Sequence, residues 1–168
     1  PDTLVYEETD ERFNLGVSRS RDARWLLVQS GSHTQSEWRL IPAAAPEEAP
    51  RVVAPREKDH EYDVEAAGDL LYIRTNDGCR DFRVVTAPAA NPGKAAWKEL
   101  VPCRDGVMVS GVDAFRGHLV LFERQDALPR LSVRDLATGE THRIELPEPI
   151  ASSFPEANPE YDTKAFRF

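Results

Sequence analysis

One spacing governs the reading of this sequence. Three short apolar runs, Trp25-Leu26-Leu27-Val28, Leu70-Leu71-Tyr72-Ile73 and Leu119-Val120-Leu121-Phe122, follow one another at offsets of 45 and 49 residues. Each run comes after a polar turn and is followed by a second candidate strand: Glu37 to Ile41, Phe82 to Thr86, and Arg130 to Asp135. A third strand closes each unit on proline, at Pro55, Pro102 and Pro147, and a fourth precedes it: Leu15 to Ser18, Tyr62 to Glu65, and Val107 to Val112. Four short β-branched and aromatic strands every ~45 residues is the period of a β-propeller blade. A four-stranded twisted sheet cannot cover both of its faces alone, whereas stacked blades cover one another. Proline is tolerated at the end of an outer strand, where a missing donor faces no partner. A β-sandwich, the competing all-β arrangement, requires no such regular units.

The reading is therefore all-β: an incomplete β-propeller of three whole four-stranded blades plus partial blades at both ends. The blades span about residues 13–55, 56–102 and 103–147, within a single partial domain covering 1–168. Leu4-Val5-Tyr6-Glu7 is expected as the outer strand of a preceding blade, and Ile150 to Phe168 as the inner strands of a following one. Thirteen prolines and nine glycines spread along the chain argue against long helices. A closed propeller typically has about four to eight blades, so this stretch does not close a typical ring.

Composition narrows the partners. A net charge of −8 opposes phosphate binding, so neither nucleic acid nor an anionic membrane is expected. No apolar run approaches the ~20 residues of a membrane-spanning helix, and no signal peptide is visible at the N-terminus. Cys79 and Cys103 are the only cysteines and lack a CxxC pattern. They are expected as free thiols in a reducing, cytoplasmic setting.

Several segments in order resemble the oligopeptidase B branch of the prolyl oligopeptidase family of serine peptidases. They are Leu4-Val5-Tyr6-Glu7-Glu8, the run from Arg56 to Tyr62, Tyr72-Ile73-Arg74-Thr75-Asn76-Asp77-Gly78 with Phe82-Arg83, Val120 to Leu131, and Asn158 to Thr163. The resemblance implies a seven-bladed propeller capping an α/β-hydrolase domain, with the active site between them. It also implies short peptide substrates cleaved after Arg or Lys, and a propeller that excludes folded proteins. The implied partners are the hydrolase domain of the parent chain and short basic peptides.

No catalytic residue is expected within the chain itself. No glycine is followed four residues later by another, so the G-x-S-x-G nucleophile elbow is absent; Gly16-Val17-Ser18-Arg19-Ser20 comes nearest and reads as an inner strand. His33, His60, His118 and His142 are too scattered for a close metal-binding pair, and no cofactor or metal site is expected. His118 is expected to cap a turn. Glu7-Glu8 and Asp10-Glu11 read as an exposed acidic turn rather than glycosidase carboxyls. Asn76-Asp77-Gly78 is a hairpin turn signal.

The candidate site residues are Arg56, Asp59, His60 and Glu61, in the run joining two blades. They belong either to the central tunnel or rim, or to a solvated connection. Trp25 is expected between blades, with an aromatic platform at Trp25, Trp38 and Trp97 as the minor reading. Arg74 and Arg124 are expected to pair with acids of adjacent blades. The alternative function is an independent interaction scaffold, and the open blade edges predict self-association of the isolated chain.

Overall fold

A computed structural model of the chain describes residues 2–146 and 155–168. Among the described residues twelve strands form three antiparallel four-stranded sheets, each in simple sequential order. The first sheet holds β1 (Asn14–Arg19), β2 (Trp25–Gly31), β3 (Ser36–Pro42) and β4 (Arg51–Val52). The second holds β5 (Tyr62–Ala67), β6 (Leu70–Thr75), β7 (Arg83–Pro88) and β8 (Lys98–Val101), with one 3-10 turn at Lys94–Ala96. The third holds β9 (Val107–Ala114), β10 (His118–Gln125), β11 (Leu128–Asp135) and β12 (Thr141–Arg143). The sheets stack as successive blades and form an open arc of an all-β propeller.

The first two strands of each blade meet at tight turns whose chemistry is local. Ser20 Oγ donates to Asp22 Oδ1 at 2.6 Å and accepts the Trp25 amide at 3.0 Å, which folds β1 back onto β2. The β5–β6 turn uses Gly68 at φ +64°, a conformation that costs glycine little because it has no Cβ. Gly111 in β9 has a different reason: an added Cβ would lie 3.2 Å from the Phe122 ring on β10.

Both faces of the middle blade are buried, and β6 shows it. Leu71 and Ile73 point toward the first blade, joining Leu27, Leu40, Val64 and Val85, with Trp25, Trp38 and Trp97 packed around them. Tyr72, between them in sequence, faces the third blade with Ala114 and Leu119. Residues two apart on a strand share a face, so consecutive apolar residues here supply two separate cores. Each fully buried Leu or Ile contributes about 1.5–3 kcal/mol relative to exposure. Tyr62 ties the first core to backbone: its hydroxyl donates to the Ala54 carbonyl at 2.5 Å and accepts the Trp38 amide at 2.8 Å. Burial pushes its phenol up to about 12.

Several expectations are corrected. The outer strands are shorter than their proline-closed segments: β4 ends at Val52 and β12 at Arg143. Single backbone bonds carry the pairing one residue further, from Val53 to Trp38 and from Ile144 to Leu131, each at 2.8 Å. Leu4–Glu7 forms no strand, because no described strand lies beside it to receive its backbone groups. Of the segment from Ile150 onward, residues 150–154 lie outside the described residues, and 155–168 contain no strand. There Asn158 binds the chain back on itself, with its Oδ1 accepting the Arg167 amide at 2.8 Å and its Nδ2 donating to the Arg167 carbonyl at 3.0 Å. Cys79 and Cys103 are not free thiols. They form a disulfide, with their Cα atoms 5.7 Å apart.

Candidate functional site

In every blade the first strand, β1, β5 or β9, is the inner one. The connections therefore sort onto two rims. One rim carries the links between blades together with the β2–β3, β6–β7 and β10–β11 connections. The other carries the turns that follow each inner strand.

The expected site residues lie on the first rim, but they do not converge. Arg56 turns toward the N-terminal segment, where it forms ion pairs with Glu8 and, at 3.9 Å, with Glu37. Its guanidinium also covers the Phe13 ring at 3.8 Å. Asp59 is exposed at φ 59°, and its carbonyl accepts from Asn76 Nδ2 at 3.0 Å. The Glu61 amide donates to Asn76 Oδ1 at 2.9 Å. His60 is not solvated: it is 5% exposed, stacks on Tyr62 at 5.1 Å, and shares a 3.0 Å hydrogen bond between Nε2 and Thr75 Oγ1. Desolvation lowers its pKa, which favours the neutral ring. Its Nδ1 has no hydrogen-bond partner.

The other rim holds a convergent cluster that sequence reasoning missed. Arg21, in the turn after β1, donates from Nη1 to the Ala114 carbonyl at 2.9 Å and from Nε to the Asn158 carbonyl at 2.8 Å. Its Nη2 lies 3.3 Å from Asp113 on β9, and Nη1 lies 3.8 Å from Glu65 on β5. The guanidinium also stacks 4.3 Å above the Phe115 ring. One cation thus touches all three blades and the C-terminal segment. Burial pushes the Glu65 carboxyl up to about 7, against the lowering effect of Arg21 and with a further rise from Asp113. Beside this cluster a cleft of about 600 Å³ opens between Ser18–Arg21, Trp38, Glu65 and Asn158. The legible signal was an acid on each of two inner strands, Glu65 and Asp113. Their common partner Arg21, 44 and 92 residues away in sequence, gave no local sign.

The remaining candidates have structural partners. Trp25, Trp38 and Trp97 donate their indole N–H groups to the carbonyls of Gly68, Tyr62 and Pro92. Arg74 pairs at 2.6 Å with Asp63 of its own blade, not an adjacent one, and donates to the Val109 carbonyl of the next blade at 2.7 Å. Arg124 is exposed and makes no ion pair among the described residues. The His118 ring stacks on Phe115 at 4.6 Å, and it is the His118 carbonyl, not the ring, that closes the turn. Glu8 is not part of an exposed acidic turn, since only 9% of its side chain is open. Among the described residues no group of three or more His, Cys, Asp or Glu side chains could hold a metal ion. The described helical turn is too short to cross a membrane.

Comparison with known proteins agrees with this architecture. The family described as prolyl oligopeptidase, N-terminal beta-propeller domain, matches residues 1–168. Dipeptidyl aminopeptidase BI of Pseudoxanthomonas mexicana is 41% identical over 168 residues, covering 99% of this chain and 23% of that protein. Protease 2 of Moraxella lacunata is 28% identical over 162 residues, covering 96% of this chain and 23% of that protein. Oligopeptidase B from Leishmania major superposes with a TM-score of 0.89 at 25% identity, over 97% of this chain and 24% of that one. Oligopeptidase B from Trypanosoma brucei, in a closed form with covalently bound antipain, gives 0.77 at 30% identity, over 86% of this chain and 22% of that one. The chain thus spans about a quarter of the length of these relatives, and it belongs to the prolyl oligopeptidase family, within the N-terminal β-propeller domain.

Proposed function

We propose that this chain is the non-catalytic propeller wall of a longer serine peptidase of the oligopeptidase B type. In this reading the propeller covers the α/β-hydrolase active site, admits short peptides and turns away folded proteins, and the enzyme cleaves after Arg or Lys. The observation that carries the reading is the open three-blade arc, which superposes on oligopeptidase B over nearly its full length. Asp63 and Glu65 on β5 and Asp113 on β9 add carboxylates along the inner strands. Arg74 and Arg21 pair with them, so the preference for a cationic peptide rests on the likeness to oligopeptidase B and not on free charge along these strands. The test is turnover by the longer polypeptide that contains these residues. An N-blocked tripeptide reporter ending in Arg should be cleaved far faster than its Glu counterpart, and a folded protein carrying the same sequence in a loop should resist. Equal cleavage of the folded protein would remove the filter, and equal rates for Arg and Glu would remove the specificity.

A second reading has its own support, because a relative at 41% identity is a dipeptidyl aminopeptidase. Release of dipeptides from a free N-terminus requires recognition of an ammonium group rather than an extended chain on both sides of the cut. A free-amine dipeptidyl reporter compared with its N-acetylated form separates the two. Loss of turnover on acetylation supports dipeptide release, and unchanged turnover supports the endopeptidase.

A further inference from the structure

The three connections between the second and third strands of each blade are unequal. In the first blade four residues, 32–35, join β2 to β3, and in the third two residues, 126–127, join β10 to β11. In the middle blade seven residues, 76–82, join β6 to β7, and they form the only such connection held by a covalent link. The disulfide joins Cys79 in this loop to Cys103 in the segment between β8 and β9.

The loop rests directly on the inner strand β9 and is linked to β5 through Arg74 of β6. The Asp81 carbonyl accepts the Val109 amide of β9 at 2.9 Å. The Phe82 ring lies 3.5 Å under the Arg74 guanidinium, which bonds to Asp63 on β5 and to the Val109 carbonyl on β9. At its start Asn76 bonds to the backbone of Asp59 and Glu61 on the same rim. Phe82 holds φ at +64°, a region where a residue with a Cβ is strained by about 1 kcal/mol or more. Cys79 is buried at 4% exposure, whereas residue Cys103 is exposed, so the Cys103 side is the one open to an incoming thiolate's approach.

We propose that Cys79–Cys103 is a thiol–disulfide switch that docks the 76–82 loop on the inner strand β9 when oxidised and releases it when reduced. A thiolate of a dithiol reductant attacks Cys103 Sγ, the S–S bond breaks, and Cys79 leaves as a thiolate that takes up a proton. The second thiol of the reductant then displaces Cys103 from the mixed disulfide, and Cys103 is protonated in turn. Two electrons and two protons pass to the protein, and the reductant departs as its cyclic disulfide. A cytoplasmic setting holds the loop released and an oxidising compartment holds it docked. The proposal stands on the loop's own contacts and is independent of peptidase activity.

The test is hydrogen–deuterium exchange on the longer polypeptide that contains these residues, before and after dithiothreitol, with free thiols at Cys79 and Cys103 counted in parallel. Two thiols should appear without global unfolding. Exchange in the 76–82 loop and at the Val109 amide should rise about tenfold or more, while the β10–β11 amides stay protected. Re-oxidation should restore protection. The double variant Cys79→Ser/Cys103→Ser should show the reduced pattern with or without reductant. Thiols that stay unreactive in the folded chain would overturn the proposal. So would reduction without a change at the loop and Val109, or reduction that unfolds the whole chain, which would make the bond a permanent staple.

Discussion

The two outer faces of the arc are closed in opposite ways. On the first blade the N-terminal segment lies over the face turned away from the middle blade, and charge holds it there. Glu8 accepts Ser30 Oγ at 2.5 Å and pairs with Arg56, Arg39 pairs with Glu37 and covers the Tyr6 ring at 3.9 Å, and Arg56 covers Phe13. On the third blade the C-terminal segment brings Phe166 against Phe115, Val120 and Leu131, with ring centroids 6.2 Å from Phe115 and 6.0 Å from Phe122. The difference shows the cost of polar closure. Each charge must find its partners, and Arg39 Nη1 is left buried without one. Aromatic closure asks only for shape and exclusion of water, so it tolerates salt and pH.

Breaking the charged closure should have the largest effect. Arg56→Ala leaves the largely buried Glu8 without its cation, while Glu37 keeps Arg39, and should cost about 3 kcal/mol, as for other pairs taken from water and then broken. Urea denaturation of the chain measures it, and a loss below about 1 kcal/mol would mean the network contributes little. Phe166→Ala should cost about 2 kcal/mol, less than for a fully buried Phe because the ring is only partly covered. That loss should be the same at low and high salt, whereas the Arg56 effect should shrink as salt rises.

The acid limb sharpens the contrast. Hydrogen bonds from Ser30 and Arg56 hold the Glu8 carboxyl down at about 2, from an ordinary 4.5. Between these values the unfolded chain binds more protons, so Glu8 contributes stability above pH 4.5 that is lost as pH falls toward 2. Glu8→Gln should flatten this limb, and an unchanged limb in stability measured from pH 2 to 5 would sink the assignment. Glu65 acts with the opposite sign. With its carboxyl raised from 4.5 to about 7, the folded chain binds more protons in that window, and stability falls as pH rises through it. Glu65→Gln should therefore gain relative to the parent at pH 8 and not at pH 4. The gain should be small, because Arg21 offsets part of the charge.

The smallest expected effect concerns assembly. The inner strand β1 leaves Val17 70% exposed and Leu15 45% exposed, whereas its counterparts β5 and β9 are largely covered. The isolated chain should associate weakly through this side at high concentration. Light scattering should show Val17→Asp returning it to the monomer.

The propeller was legible because its evidence is local. Four strands per unit, alternating faces and a turn before each apolar run are properties of neighbouring residues, and they recur every ~45 positions. Leu71, Tyr72 and Ile73 could be read as a strand without knowing what lay on either side. What sequence could not supply was any feature joining distant positions. Arg21 meets Glu65, Asp113 and Asn158 only because three blades fan from one axis. Cys79 meets Cys103 across 24 residues because a long loop and a blade crossover share a rim. Leu4–Glu7 has the composition of a strand but no described strand to pair with, and strand structure needs the partner's backbone as much as its own. His60 looked solvated among charged neighbours and is buried, because Tyr62 and Thr75 close over it. The residues by themselves determined the repeating unit and its chemistry. Only the tertiary structure decided which charges are shared, which thiols are joined and how each end of the arc is closed, since those depend on contacts between segments far apart in the chain.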